Sequence, residues 1–291
     1  MAKPPALPIE ELRPGQSIEL LKELHILTRE GRLNQDTRRK LKQVYHLYQF
    51  IEPLLNQAFE ARPAPVLVDH GAGKSYLGFI LYDLFFNVAH QGGKAQGRII
   101  GVETRAELVN KSSELAQRLG FARMDFFNLS VQEANSSREL PAVVDIVTAL
   151  HACDTATDDA IAFGLAHQAS HMVLVPCCQA EVAGVLRQSK ALSLKRTPLA
   201  ELWRHPLHTR EFGSQITNVL RCLQLQAHGY EVTVTELVGW EHSMKNELII
   251  ASRPRQPHAG NSHAAAERLR ALLAEMGLSG MQERFAIPAL P

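Results

Sequence analysis

Short apolar runs alternate with helix-length segments through the middle of this 291-residue chain. Each run has the length of a strand that is buried on both faces of a sheet. The alternation of strands with helices predicts an α/β fold with a doubly wound, mostly parallel, seven-stranded sheet. The predicted strands lie near residues 66–69, 98–102, 123–127, 143–150, 171–176, 231–237 and 246–252.

The segments on either side of this alternation have a helical pattern. Residues 17–29 and 36–59 carry apolar residues at helical spacing, and Asp36 is the expected N-cap of the second helix. Residues 263–277 predict a short helix that follows a stretch rich in Pro, Gly and Asn. We therefore expect an N-terminal helical extension, a sheet domain, and a linker with a C-terminal helix, at 1–60, 61–253 and 254–291.

Composition and charge exclude several classes of protein. Lys and Arg number 31 against 30 acids, a net charge of +1, so there is no overall attraction to nucleic acid, although a local basic patch is compatible with these numbers. Four cysteines do not make a disulfide framework, and reduced cytoplasmic thiols are expected. The longest apolar stretch, 76–89, is interrupted by Asp83 and is too short to span a membrane. We expect a cytoplasmic protein without a membrane partner.

The most informative segment is 66–75, which reads Val-Leu-Val-Asp-His-Gly-Ala-Gly-Lys-Ser. A strand, a glycine-rich turn and a helix begin a nucleotide-binding βαβ unit, with the ligand at the turn. A phosphate-binding P-loop would need glycine where Val68 stands. A dinucleotide fingerprint would need a third glycine where Tyr76 stands. Neither of these two motifs fits the spacing of the glycines.

The remaining pattern, D-x-G-x-G, is typical of enzymes that bind S-adenosylmethionine (SAM). Asp69, Gly71 and Gly73 would form the turn, where backbone N–H groups can bind the carboxylate at the methionine end of SAM. The Lys74 ammonium would bind the same carboxylate. The alternative is that Gly71 and Gly73 only make a tight turn between a strand and a helix.

Two further positions would complete a donor site. Glu103 ends the second predicted strand, and a carboxylate there can accept hydrogen bonds from both ribose hydroxyls of a nucleoside. An acid at this position could also stabilise the N-terminus of a helix predicted over 105–119, and the two roles are compatible. Ser130, flanked by Val131, follows the third predicted strand and is expected near the adenine.

A second group of chemically active side chains follows the fourth and fifth predicted strands. The group consists of His151, Cys153, Asp154, Cys177 and Cys178. Both strand ends lie at the carboxyl edge of an open sheet, so we expect these residues beside the cofactor.

Four roles stay open for this group. The residues could form a close-packed wall under the methyl-transfer site, with His151 positioning the backbone or the cofactor. His151 or Asp154 could act as an acid or base. Cys177 or Cys178 could act as a nucleophile. A thiolate–imidazole metal site is the fourth role, but no C-x-x-C spacing supports it, and we expect no metal.

Three motifs in this order resemble a branch of the class I SAM-dependent methyltransferases. They read Asp69-His-Gly-Ala-Gly-Lys-Ser-Tyr-Leu, Leu150-His-Ala-Cys-Asp-Thr-Ala-Thr-Asp and Val175-Pro-Cys-Cys-Gln. The branch includes methyltransferase-like proteins and the ribosomal-RNA-adenine-dimethylase-domain-containing proteins. The resemblance covers residues 40–252 and implies a Rossmann-like fold with SAM as cofactor, without fixing the acceptor. The chain departs from the family pattern at Cys153-Asp154, where members have an intervening glycine.

Basic residues indicate where an acceptor could bind. They cluster near the start of the second helix and after the fifth strand, at Arg38, Arg39, Lys40, Lys42, Lys190, Lys195, Arg196, Arg204 and Arg210. These side chains could form a rim that contacts the phosphates of RNA, or they could be solvated helix faces. We expect a methyltransferase with RNA as the favoured acceptor and a protein side chain or small molecule close behind. The alternative is a non-catalytic SAM-binding or RNA-assembly module.

Overall fold

The computed structural model describes residues 11–89, 96–150, 154–176, 179–189, 198–237, 247–256 and 259–288. Within these ranges the strands are β1 (Val66–His70), β2 (Arg98–Glu103), β3 (Met124–Asn128), β4 (Ile146–Leu150), β5 (His171–Val175), β6 (Glu231–Glu236) and β7 (Glu247–Ser252). The α-helices are α1 (Ile18–Glu23), α2 (Gln35–Ala61), α3 (Tyr76–Leu81), α4 (Ala106–Leu119), α5 (Val131–Ser136), α6 (Thr155–Ala166), α7 (Glu181–Ser189), α8 (Pro206–Ala227) and α9 (Ala259–Glu275).

The predicted seven-stranded, mostly parallel sheet is confirmed, with the strand order β3-β2-β1-β4-β5-β7-β6. Every predicted strand is present, with ends that differ by at most a few residues from the sequence expectation. The chain divides into two compact units, Met1–Asn128 and Leu129–Pro291.

In the first unit, β1, β2 and β3 pair in parallel. All five residues of β1 are buried, as expected of a central apolar strand. The register places His70 opposite Val102, so the turn after β1 and the end of β2 lie at the same edge of the sheet. This register brings the glycine turn close to Glu103.

The N-terminal helices differ from the sequence expectation at their ends. The helix predicted over 17–29 is only α1, which begins after its N-cap Ser17. The prediction that Asp36 is the N-cap of α2 is wrong. Asn34 is the N-cap and forms a capping box with Thr37, in which each side chain accepts a hydrogen bond from the backbone N–H of the other. Asn and Asp are both good caps, but the reciprocal hydrogen bonds between Asn34 and Thr37 satisfy two N–H groups at once.

In the second unit, β4 and β5 pair in parallel, and β7 pairs antiparallel with both β5 and β6. The last strand of the chain, β7, is thus the one that runs antiparallel to its neighbours. Leu150 lies opposite Val175 in the register. The two motifs that follow β4 and β5 therefore begin at adjacent points on one edge of the sheet.

The C-terminal segment forms part of the core of the second unit. The helix predicted over 263–277 is α9, which begins four residues earlier and packs against α8. The buried residues of this cluster are Val182, Leu186, Leu220, Leu269, Leu273, Met276, Leu278, Met281 and Phe285. Residues that follow α9 as far as Phe285 therefore share one apolar core with α7 and α8. Among the described residues, no helix is long and apolar enough to cross a membrane.

This packing predicts that Leu269→Ala is strongly destabilising. Leu269 is fully buried, so its truncation leaves a cavity and should lower the free energy of unfolding by about 2–5 kcal/mol. Leu207→Ala on α8 is the matched control, because this side chain is 56% exposed and its truncation should change stability by at most about 0.5 kcal/mol. Urea unfolding of both variants measures the difference. Equal effects would show that α9 adds little to the core.

Candidate functional site

The glycine turn after β1 has an unusual backbone conformation. Gly71 and Gly73 have φ of +67° and +59°, values that residues with a Cβ rarely adopt. A Cβ added at Gly71 would have no atom within 4 Å. The turn therefore leaves open space directly against its backbone, as a cradle for a bound group requires.

Buried polar contacts hold this turn in place. Ser75 has φ of +50° although it is not glycine, and its side chain is fully buried. Its hydroxyl donates a 3.4 Å hydrogen bond to the carboxylate of Asp69, and its N–H donates to the carbonyl of Ala72 at 2.7 Å. The buried carboxylate of Asp69 thus helps to hold the turn in its conformation through Ser75. Lys74 is exposed.

The carboxylate of Glu103 lies against the turn. Its Oε2 accepts a 2.8 Å hydrogen bond from the N–H of Gly73. Its Oε1 accepts 3.0 Å hydrogen bonds from both the N–H and the Nε of Arg105, and one of 3.2 Å from the Thr104 hydroxyl. The carboxylate is nearly buried, whereas the Arg105 side chain is 62% exposed.

These hydrogen bonds keep Glu103 ionised. Burial raises the pKa of Glu103, but hydrogen bonds from the side chain and N–H of Arg105 and from the N–H of Gly73 outweigh this effect. The net result is a pKa below the usual value of a glutamate. The predicted placement of Glu103 beside the glycine turn is therefore supported by its geometry, and the carboxylate also accepts the N–H of Arg105, the residue before α4.

Two residues near this turn were not selected from the sequence. Burial lowers the pKa of His70 to about 4, an effect that the charge of Glu103 partly offsets, so this imidazole is neutral at pH 7. Arg105 covers the exposed side of the Glu103 carboxylate. No sequence motif predicts the burial of His70 or the contact of Arg105 with Glu103, because both depend on where β2 ends relative to the turn.

In the second unit, Ser130 has a local structural role. Its hydroxyl accepts from the N–H of Glu133 at 3.3 Å, and the Glu133 carboxylate accepts from the N–H of Ser130 at 2.8 Å. Ser130 is thus the N-cap of α5, and Val131 is the first residue of that helix. Their predicted position near the adenine stays a prediction.

Asp154 is held by contacts with the chain that follows β5. Its Oδ1 accepts hydrogen bonds from the N–H of Ala180 at 2.9 Å and of Glu181 at 3.1 Å. Its backbone has φ of +51° and ψ of −119°. The other four residues predicted to be active here, His151, Cys153, Cys177 and Cys178, lie outside the described residues. Over the described ranges, no group of three or more His, Cys, Asp or Glu side chains is placed to hold a metal.

The residues of the first unit fit an adenosine-type methyl donor. Open space against Gly71 gives room for the ligand, and an ionised carboxylate adjoins it at the end of the next strand. The Arg105 side chain that covers this carboxylate is solvent-exposed, so it can leave at little cost.

A family model described as a methyltransferase domain matches residues 39–185 of this chain. This match includes the glycine turn, Glu103 and both later motifs, and it extends over half of the chain. It does not separate the branch with ribosomal-RNA-adenine-dimethylase domains from other branches. No curated protein matches the chain at a significant level.

Solved structures similar to this chain include several methyltransferases. A protein from Klebsiella pneumoniae described as an O-methyltransferase is 12% identical, with 84% of this chain and 93% of that chain covered and a TM-score of 0.49. The magnesium protoporphyrin IX methyltransferase of Synechocystis PCC 6803, with bound S-adenosylhomocysteine (SAH), is 15% identical over 82% and 96%, with a TM-score of 0.44.

An rRNA methylase from Streptococcus thermophilus is 9% identical, over 66% of this chain and 89% of that chain, with a TM-score of 0.39. Likeness at this level does not identify an acceptor. The family match, by contrast, extends over half of the chain and confirms the predicted enzyme class and cofactor. The chain therefore belongs to the family with this methyltransferase domain and is a SAM-dependent methyltransferase.

Proposed function

We propose that this enzyme transfers the methyl group of SAM to RNA, with the donor bound at the glycine turn and Glu103. The observation that carries the donor assignment is the 2.8 Å hydrogen bond from the Gly73 N–H to the Glu103 carboxylate. It brings the glycine turn and the carboxylate of the next strand together at one point. A donor with an amino-acid half and a nucleoside half requires these two elements side by side.

The carboxylate of Glu103 would accept the ribose hydroxyls. Arg105 is the group that must give way, because it donates to both carboxylate oxygens. The methionine end of the donor would lie along Gly71 and Gly73, with the Lys74 ammonium as the counter-ion of its carboxylate. Ser130 and Val131 are proposed for the adenine, with Asp69 fixing the shape of the turn.

Transfer itself needs little protein chemistry beyond positioning. Bound SAM supplies a methyl group on a sulfonium, which is an electrophile without further activation. The acceptor's lone pair forms the new bond to carbon, the carbon–sulfur bond breaks with its electron pair going to sulfur, and a proton from the acceptor leaves to solvent or a base. Holding the acceptor in line with the sulfur–carbon bond contributes most of the rate. His151 is the proposed neighbour of the reacting atoms.

The basic segment at the start of α2 supports RNA as acceptor. Arg38, Arg39, Lys40 and Lys42 are all exposed. Arg38 forms an ion pair with Glu11 at 2.8 Å, whereas the other three form no ion pair within the part of the chain that is described. Contacts with the phosphates of RNA would give the charges of Arg39, Lys40 and Lys42 a role.

The second basic segment supports this acceptor less well. Arg204 pairs with Glu201 at 2.9 Å and Arg210 pairs with Glu211 at 3.1 Å, so each charge is already partnered. Lys190, Lys195 and Arg196 lie outside the described residues. The α2 segment is therefore the part of the proposed rim to test first.

Gly73→Val should abolish donor binding. A branched side chain would fill the space beside the turn, and the loss of SAH affinity should be at least about 100-fold, or about 2.7 kcal/mol. Gly120→Val is the matched control, since Gly120 also has positive φ, +71°, and ends α4 away from the turn. Both variants should lose similar stability from backbone strain, but only the first should lose binding by calorimetry. Retained affinity in Gly73→Val would contradict the donor site.

Glu103→Gln should change how stability depends on pH. Because the pKa of Glu103 is lowered in the folded protein, the ionised group contributes stability above the unfolded value of about 4.3. This contribution is lost as the pH falls through the lower folded pKa. Urea unfolding between neutral and acid pH should therefore show a wild-type advantage that shrinks on acidification. A pH-independent difference would mean that the carboxylate is not held in its charged form.

RNA as acceptor predicts where the methyl label goes. Purified enzyme with tritiated SAM should label the RNA fraction of a cell extract and not the protein or small-molecule fractions. Lys42→Glu should raise the KM for RNA by about tenfold and weaken its salt dependence. Lys111→Glu, which reverses an exposed charge on α4, is the control and should have little effect. Label in protein or small molecules would reassign the acceptor, and no label in any fraction would contradict the proposed activity.

A further inference from the structure

An arginine lies fully buried in the second unit. Arg221 on α8 has no exposed surface, although its side chain carries a permanent charge. It forms a two-pronged ion pair with Asp158 on α6, in which Nε donates to Oδ1 and Nη2 donates to Oδ2, each at 2.8 Å. Paired geometry of this kind is what makes a buried charge tolerable.

Arg221 also donates to the chain that precedes α6 and to a neighbour on its own helix. Nη2 also donates to the backbone carbonyl of Asp154 at 2.7 Å, and Nη1 donates to Oδ1 of Asn218 at 3.1 Å. The arginine therefore fixes the main chain at Asp154 from one side, while Asp158 fixes the arginine from the other.

Asp154 continues this linkage to the other motif. Its Oδ1 accepts from the N–H groups of Ala180 and Glu181, where α7 begins. Its φ of +51° is strained for a residue with a Cβ, and surrounding contacts must balance this strain. The carbonyl bond to Arg221 and the two amide bonds are such contacts.

A parallel linkage runs through Asn218. Its Oδ1 accepts from Nε2 of Gln179 at 3.1 Å, and its Nδ2 donates to the carboxylate of Glu247 at 2.7 Å. Gln179 also accepts a short hydrogen bond from the hydroxyl of Ser214. Ser214 and Asn218, one helical turn apart on α8, thus both form hydrogen bonds with the side chain of Gln179, the residue that directly follows Cys178.

We propose that Arg221 and Asp154 are positioning residues for methyl transfer. Arg221 fixes the backbone of Asp154, and Asp154 in turn fixes the start of α7, so that the motifs after β4 and β5 keep one mutual geometry. Asp154 directly follows His151–Cys153, and Gln179 directly follows Cys177 and Cys178. The reference to transfer rests on the proposed function, whereas the linkage itself rests on hydrogen bonds within one unit.

Stability alone does not account for this arrangement. Replacing a buried ion pair by apolar residues of similar volume is often neutral or stabilising, so such a pair is weak evidence for a stabilising role. One hydrogen bond of Arg221 and both of those that Asp154 Oδ1 accepts instead involve backbone groups beside the two motifs. A function in fixing those two loops explains why the donors are directed there.

Hydrogen–deuterium exchange in the full-length enzyme tests the linkage without any acceptor. In Arg221→Met, exchange at the amides of Ala180 and Glu181 should accelerate by at least about tenfold, although Arg221 does not touch them. Arg253→Met is the control, because Arg253 contacts Tyr230 at a distant part of the same unit. Unchanged exchange in folded Arg221→Met, or an equal increase in both variants, would overturn the proposal.

Asp154 offers an independent pair of variants, which decides the matter if Arg221→Met does not fold. Asn at 154 keeps an oxygen that accepts both N–H groups and tolerates positive φ, whereas Ala keeps neither advantage. Asp154→Asn should stay within about threefold of the wild type in exchange at residues 180 and 181 and in methyl transfer, and Asp154→Ala should not. Loss of transfer in Asp154→Asn with normal exchange would instead make Asp154 an acid–base catalyst and refute positioning.

Kinetics separate this role from donor binding. Arg221→Met and Asp154→Ala should lower kcat by at least about tenfold while the KM for SAM changes by less than about threefold. A rise in the KM for SAM with unchanged kcat would contradict the proposal. If wild-type enzyme labels no acceptor, the proposed function fails, and the exchange data still decide whether the two loops are linked.

Discussion

The parallel register of β1 and β2 is the constraint on which the donor site depends. It sets the glycine turn beside the end of the next strand, so that the N–H of Gly73 and the carboxylate of Glu103 meet at 2.8 Å. A shift of one residue in either strand would turn Glu103 to the other face of the sheet. Burial of β1 favours that register, because a shift would move the apolar side chains of Val66, Leu67 and Val68 out of their buried positions.

Much of the fold could be predicted from the sequence because its signals are local. Apolar runs bounded by turns give the strands, and the two closing strands follow the same pattern. The errors lie at helix ends, where competing caps such as Asn34 and Asp36 stand two residues apart and only the capping box with Thr37 separates them. The packing of α9 into the core was equally out of reach, since its apolar residues do not reveal what they pack against.

The candidate site also contains some residues that the sequence could predict and others that it could not. The turn and Glu103 follow from spacing, because a strand–turn–helix unit places them without reference to distant residues. Arg105 and Arg221 could not be selected, since each is an ordinary helix or loop residue in sequence and gains a role only through its partners. For Arg221 the partner on α6 is 63 positions away, so no pattern along the chain reports the contact.

Asp154 has a backbone conformation that is usually adopted by glycine. The resemblance noted in the sequence implies a glycine between the residues that match Cys153 and Asp154, and glycine adopts positive φ without strain. Here the aspartate itself adopts φ of +51°. Glycine at this position would relieve the strain but could not accept from Ala180 and Glu181. The hydrogen bonds of the side chain thus balance the strained backbone conformation of Asp154, and the same bonds join the residue before α6 to the start of α7.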